Sequence, residues 1–181
     1  MELFDVLKKD HDQVKVLCRR IQTAGGESGA GKRLFQELTS MLEVHMQAEE
    51  HLYYARLEDN KETLKFAIEG YEEHRLAKML LDELKSKNLN GEHWNIKFKV
   101  FSDVVLHHIE EEEDEFFESS RDIFEEDELE ELGSIFSEQK QQLLTPASSR
   151  TTRRSSIKPR RAVKAKARGR KKSVRARRKA A

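Results

Sequence analysis

Between residues 1 and 144 the apolar side chains recur at steps of three and four, the spacing that lines one face of an α-helix. Phe4, Leu7, His11, Val14, Cys18 and Ile21 predict a first helix over 2–22. Phe35, Leu38, Leu42, His45, Glu49 and Leu52 predict a second over 31–57. Leu64, Ala67, Tyr71, His74, Ala77, Leu81 and Leu84 fall on a third over 61–87, and Trp94, Phe98, Phe101, Val105, His108, Glu112 and Phe116 on a fourth over 92–119. A shorter helix over 125–143 carries Leu129, Leu132, Ile135 and Phe136. The connections are short. TAGGESGAG (23–31) reads as a flexible loop, Asn60 as an N-cap after the turn at 58–60, and NLNG (88–91) as a helix stop. The fold expected is all-α: an antiparallel up-down-up-down four-helix bundle with a short fifth helix.

Charge divides the chain where the stripes end. Residues 1–144 hold 18 Lys and Arg against 34 Asp and Glu, a net of −16; residues 145–181 hold 16 Lys and Arg and no acid. Both prolines, Pro146 and Pro159, lie in the basic part. Two units are therefore expected, a helical domain over 1–144 and a disordered Lys/Arg-rich tail over 145–181. A single cysteine, Cys18, excludes an internal disulfide and a cysteine-based zinc site. No run of apolar residues suggests a signal peptide or a membrane span, so the expected compartment is reducing and cytoplasmic, with no membrane partner.

Each long stripe is interrupted by a histidine, and the interruptions are in register. His11 and His45 are 34 residues apart, as are His74 and His108. A shift of 63 carries His11, His45 and Glu49 onto His74, His108 and Glu112, and also Asp10 onto Glu73, Lys15 onto Lys78, Glu50 onto Glu113, and Tyr53-Tyr54 onto Phe116-Phe117. The chain reads as two related helical hairpins, each with one lone histidine and one HxxxE pair. Residues four apart share a helix face, so His45 projects beside Glu49 and His108 beside Glu112. Four imidazoles and two carboxylates pointing into one bundle are costly to bury without a cation. Such a donor set, lacking thiolate, suits iron or manganese, often as two ions. In LHHIEEEEDEFF (106–117), His108 and Glu112 fall on the apolar stripe, whereas His107, Glu110, Glu111 and Glu113 read as rim or solvated face. Tyr53, Tyr54, Phe116 and Phe117, one turn beyond the candidate ligands, read as core or as a screen between the metal and bulk water; Tyr71 reads as core, although it lies close enough in register to reach the site as an outer donor. His51 and His93 break the pattern and read as surface.

DHDQVKVL (10–17), HMQAEEHLYY (45–54), EHRLAKML (73–80) and HIEEEEDEFF (108–117) together resemble the hemerythrin-like family, the cation-binding domain named for its H-H-E motifs. ELEELG (128–133) is similar to the family's closing helix, so the resemblance spans 1–143. It implies a non-haem di-iron centre, oxo- or carboxylate-bridged, with His11, His45, Glu49, His74, His108 and Glu112 as ligands and Glu49 and Glu112 as bridges. Manganese or another divalent metal is an alternative occupant. The chain departs from oxygen-carrying hemerythrins at two points. Lys78 stands where their third helix has a second histidine, and the last carboxylate is Glu at i+4, where theirs is Asp at i+5. Fewer protein ligands on one iron shift the expectation from reversible oxygen carriage towards sensing of oxygen or reactive oxygen and nitrogen species, peroxide chemistry, or labile iron binding. The small ligand would be diatomic or a peroxide. No general base or nucleophile stands apart from the ligands, so the residues do not decide whether the protein is an enzyme.

The basic tail suggests a further partner. Sixteen cations without an acid form a polyanion-binding arm for DNA or RNA, or an extension that folds back on the acidic bundle. Two other readings stay open: a nucleic-acid-associated protein whose metal is purely structural, and a di-iron enzyme that consumes peroxide.

Overall fold

The computed structural model describes residues 1–86, 89 and 91–144. The disordered tail expected over 145–181, and most of the NLNG stop, lie outside these residues. Among the described residues all regular structure is helical. Its five long helices are α1 (Leu3–Ala24), α2 (Gly29–Glu49), α3 (Leu64–Lys85), α4 (Gly91–Glu111) and α5 (Glu126–Leu144). Two π-helical turns, Glu50–Tyr54 and Glu112–Phe116, continue α2 and α4 and lead into the short helical turns Ala55–Glu58 and Phe117–Ser120. The helix α1 packs on α2 and α4, α3 on α4 and α2, and α5 lies against α1 and α2. The bundle and its closing helix are those the periodicity predicts.

Three local expectations are corrected. The glycine-rich stretch 23–31 is mostly helix, and the loop shrinks to 25–28. Ser28 Oγ accepts the Gly31 N–H at 2.8 Å and caps α2, so the helix starts on glycines whose intrinsic propensity is poor. Gly25 makes the turn possible, at φ 73°, a left-handed conformation that costs glycine little. Second, Asn60 does not cap α3. Its side chain accepts the Glu62 N–H at 2.9 Å in a local turn, and the helix begins three residues after the expected 61. Third, Leu64 is exposed, and the neighbouring Phe66 takes the core position.

The core has two apolar clusters. One gathers Leu3, Phe4, Leu7, Tyr53, Phe66, Phe116, Phe117 and Phe136; the other Val14, Ile21, Leu38, Leu42, Leu81, Phe98, Phe101 and Val105. Burying each such side chain stabilises the fold by about 1.5–3 kcal/mol. On α1 the switch from one cluster to the other falls between Leu7 and Val14, and on α3 between Ala67 and Ala77. His11 and His74 lie in those gaps. A polar layer thus sits between two greasy ones, held rigidly from both sides.

Candidate metal centre

All six residues singled out by spacing meet in that layer, and all are buried, from 0% exposed at His11, Glu49 and Glu112 to 7% at His108. The imidazoles form two pairs, His11 with His45 (ring centroids 5.0 Å apart) and His74 with His108 (4.8 Å). Each carboxylate lies between the pairs. Glu49 Oε2 is 3.1 Å from His45 Nε2 and 3.5 Å from His74 Nε2; Glu112 Oε2 is 3.3 Å from His11 Nε2 and 3.5 Å from His108 Nε2. Donor atoms of His11, His45 and Glu49, and again of Glu49, His74 and His108, fall within 4.8 Å of one another, the mutual distances of ligands around a single ion. Glu49 belongs to both groups.

The outward nitrogens are anchored. Each Nδ1 donates to a carboxylate: His11 to Glu113 (3.0 Å), His74 to Glu50 (3.0 Å), His45 to Asp10 (3.2 Å) and His108 to Glu73 (2.6 Å). These bonds turn every Nε2 inward and fix the rings, the arrangement that makes imidazole a good metal ligand. The 63-residue repeat is visible here as geometry, since His11–Glu113 and His74–Glu50 are copies that each link the two hairpins. Lys15 reaches Glu113 at 2.9 Å and Lys78 reaches Glu50. Lys78 thus serves as an outer cation. Glu113 is corrected from rim to anchor of His11.

Tyr54 joins the cluster although the spacing places it in the core. Its hydroxyl donates to Glu112 Oε1 at 2.6 Å and stands 3.4 Å from both His74 Nε2 and His108 Nε2. In an unbroken α-helix Tyr53 would share the face of Glu49, and Tyr54 would be rotated about 140° away. The π turn at Glu50–Tyr54 changes the register so that the residue five after Glu49 points at the centre. Gly70 makes room, because a Cβ there would lie 2.5 Å from the Tyr54 ring. The repeat counterpart, Phe117, instead stacks on His11 at 6.1 Å and 11°. Tyr71 stays outside the centre, with its ring edge-on to Tyr54 and its hydroxyl donating to the Glu50 carbonyl at 3.3 Å. Tyr53 is core, its hydroxyl paired with Ser120. His51, His93 and His107 are exposed, as expected.

The residues fit a cation. Both oxygens of Glu49, Glu112 Oε2 and His11 Nε2 are buried without a hydrogen-bond partner, a concentration of unsatisfied donor atoms that folded proteins avoid unless an ion takes them up. The model of the hemerythrin HHE cation binding domain matches residues 2–119. The chain belongs to the hemerythrin HHE family. It is similar to the crystal structure of a hemerythrin HHE cation binding domain-containing protein from Mycobacterium kansasii, at 28% identity and a TM-score of 0.69, covering 79% of this chain and 87% of that one. A DNA nickase of Nostoc sp. is 24% identical over 141 residues, which are 75% of this chain but 38% of that relative. The chain therefore spans well under half the length of that relative.

Electrostatics show what this HHE site does without metal. Burial works against a charged His45, but Glu49 and Asp10 overcome it and push the imidazole up to about 10. At His108 burial is likewise outweighed, by Glu112 and Glu73, to about 9. Burial also disfavours the Glu49 carboxylate, yet His45 and His74 hold it well below its usual range. Burial, then Glu112 and Glu49, keep the Tyr54 phenol well above its own. Protons on His45 and His108 thus offset the buried Glu49 carboxylate, and a bound metal ion would displace them. Because His45 and His108 hold protons more tightly folded than unfolded, their contribution to stability is complete below an imidazole's ordinary value of about 6.5. It is lost as pH rises through about 9 to 10. Thermal melts should therefore show the metal-free chain weakening steadily from pH 7 to 10. The metal-loaded chain should not, and metal uptake at pH 7 should release protons into the buffer. A flat profile for the metal-free chain would contradict this charge balance.

Proposed function

We propose that His11, His45, Glu49, His74, His108 and Glu112 hold a dinuclear iron centre, with Glu49 and Glu112 spanning both positions and Tyr54 beside the His74–His108 position. The observation that carries this reading is the placement of two fully buried carboxylates, each between imidazoles of opposite pairs with oxygens left unpartnered. Imidazole and carboxylate donors without thiolate favour iron or manganese over softer metals. When bound, iron supplies one-electron redox chemistry and exchangeable coordination positions. Against the imidazoles lies a narrow cavity walled by Val14, Leu42, Met46, Ala77, Val105 and Ile109, with room on the order of one water molecule. Its apolar wall and small size favour a diatomic molecule or a peroxide over any organic substrate. The functional reading is therefore binding or sensing of oxygen, or of reactive oxygen or nitrogen species. The Tyr54 hydroxyl acts from the opposite side of the polar layer, in the first apolar cluster, where it holds Glu112 in place.

Anaerobically purified protein of residues 1–181 should contain two irons per chain and develop visible absorption on exposure to air, as the iron is oxidised. His74→Ala and His108→Ala should each lose that iron. Protein that stays free of metal after reconstitution with ferrous iron would refute the centre. A second reading concerns residues 145–181. Their 16 unopposed cations, and the likeness of the domain to part of a DNA nickase, support attachment of this metal domain to nucleic acid.

A further inference from the structure

Three of the four imidazoles stand at the inner end of a carboxylate–lysine chain. Two of these chains are copies under the repeat, His11–Glu113–Lys15 and His74–Glu50–Lys78. The third, His45–Asp10–Lys140, has no copy. The repeat counterpart of Asp10 is Glu73, which holds His108 but pairs with no lysine among the described residues, lying instead beside His107 and Glu111. Lys140 arrives from α5, beyond the matched residues 2–119. One turn earlier on the same helix, Phe136 sets its ring edge against His45 at 5.8 Å and 76°, and Lys140 Nζ lies 5.8 Å over the Phe136 ring. Asp10 is 2% exposed, and both its oxygens meet the lysine while Oδ2 also receives His45 Nδ1. Among the described residues the closing helix therefore supplies a lysine to the His45 chain and to none of the other three.

We propose that Lys140 is a positioning residue for one metal position alone, clamping Asp10 and through it His45 on the His11–His45 side. This inference rests on the dinuclear reading above. Removing the lysine leaves Asp10 buried with one partner in place of two, an arrangement that a buried carboxylate does not keep. His45 then loses the anchor that aims Nε2 at Glu49. Loss of such an outer partner costs about 10–100-fold in metal affinity, and here the loss is confined to one position.

The test is anaerobic titration of ferrous-loaded protein of residues 1–181 with a ferrous chelator, read as ions retained per chain, together with Mössbauer spectra of iron-57-loaded samples. Lys140→Met keeps the length and the contact with Phe136 but removes the charge. It should release one ion about 10–100-fold more readily than the wild type does and hold the other as before, with one of the two iron environments altered. Lys140→Arg should restore both. Lys78→Met should loosen the opposite ion and alter the other environment. Circular dichroism of the metal-free variants checks folding; should Lys140→Met fail to fold, Asp10→Asn breaks the same chain from α1 and is read the same way. Retention of both ions in Lys140→Met as in the wild type overturns the inference alone, as does equal weakening of both ions. A wild-type chain that takes up fewer than two ions overturns the dinuclear reading, and the inference with it.

Discussion

Glu49→Gln combined with Glu112→Gln is expected to reduce bound iron from two ions per chain to none, even after reconstitution with excess ferrous iron. Glutamine keeps the volume and hydrogen-bonding reach of glutamate but carries no charge, so the packing of the layer survives while its anionic centre disappears. Each carboxylate reaches an imidazole of both pairs, so losing both removes the only charged donors shared between the two positions. Outer partners of metal ligands already matter by about 10–100-fold, so removing two shared ligands should exceed that range. The metal-free variant should nevertheless fold. Without these carboxylates His45 and His108 are no longer driven to hold a proton, which avoids the cost of about 3–5 kcal/mol for a buried charge left without its partner. The two carboxylates also help to raise His45 and His108. Without them, the loss of stability between pH 7 and 10 should shrink. Iron content by elemental analysis and melts across that pH range test both halves. A double variant that still holds an ion would mean that the imidazoles bind metal without these bridges.

The meeting of the six candidate ligands was legible in the sequence because helical periodicity and an internal repeat are both arithmetic. His11, His45, Glu49, His74, His108 and Glu112 needed only the 3.6-residue period and a shift of 63 to be placed together. Tyr54 was not legible for the same reason, since the π turn suspends that period where Tyr54 must be read. Gly70 gave no signal as a lone glycine in a helix, although it is the space into which Tyr54 fits. The anchoring carboxylates show the other limit. Asp10 and Glu73 stand next to ligands, Glu50 and Glu113 next to Glu49 and Glu112, yet their partners lie on other helices. A residue beside a ligand in the chain reads as rim until packing assigns it a partner. Lys140 is the extreme case, 130 residues from Asp10 and on a helix whose own pattern says only that it is amphipathic.

The basic tail makes the other large prediction. If residues 145–181 hold nucleic acid by neutralising phosphates, binding is driven by release of counterions and must fall steeply with salt. Six to ten engaged phosphates would lower affinity by about 10³–10⁵-fold between 50 and 200 mM salt, with little difference between unrelated duplex sequences. Sixteen cations are more than enough for that number, but the bundle's net −16 competes for them. The competition sets the sign of a second test. Glutamine in place of all the lysines and arginines of 150–179 should abolish duplex binding in the full chain and leave iron content unchanged, because no metal-site residue lies there. Filter binding or fluorescence anisotropy across salt concentrations measures the slope. A shallow slope, or binding that survives the substitutions, would remove the tail as the nucleic-acid contact. Incubating the iron-loaded full chain with supercoiled plasmid adds the step that likeness to a DNA nickase raises. Relaxed circles that depend on the metal ligands would make the centre catalytic towards DNA, whereas binding without nicking would leave the tail as a tether that keeps a small-molecule-responsive iron domain beside nucleic acid.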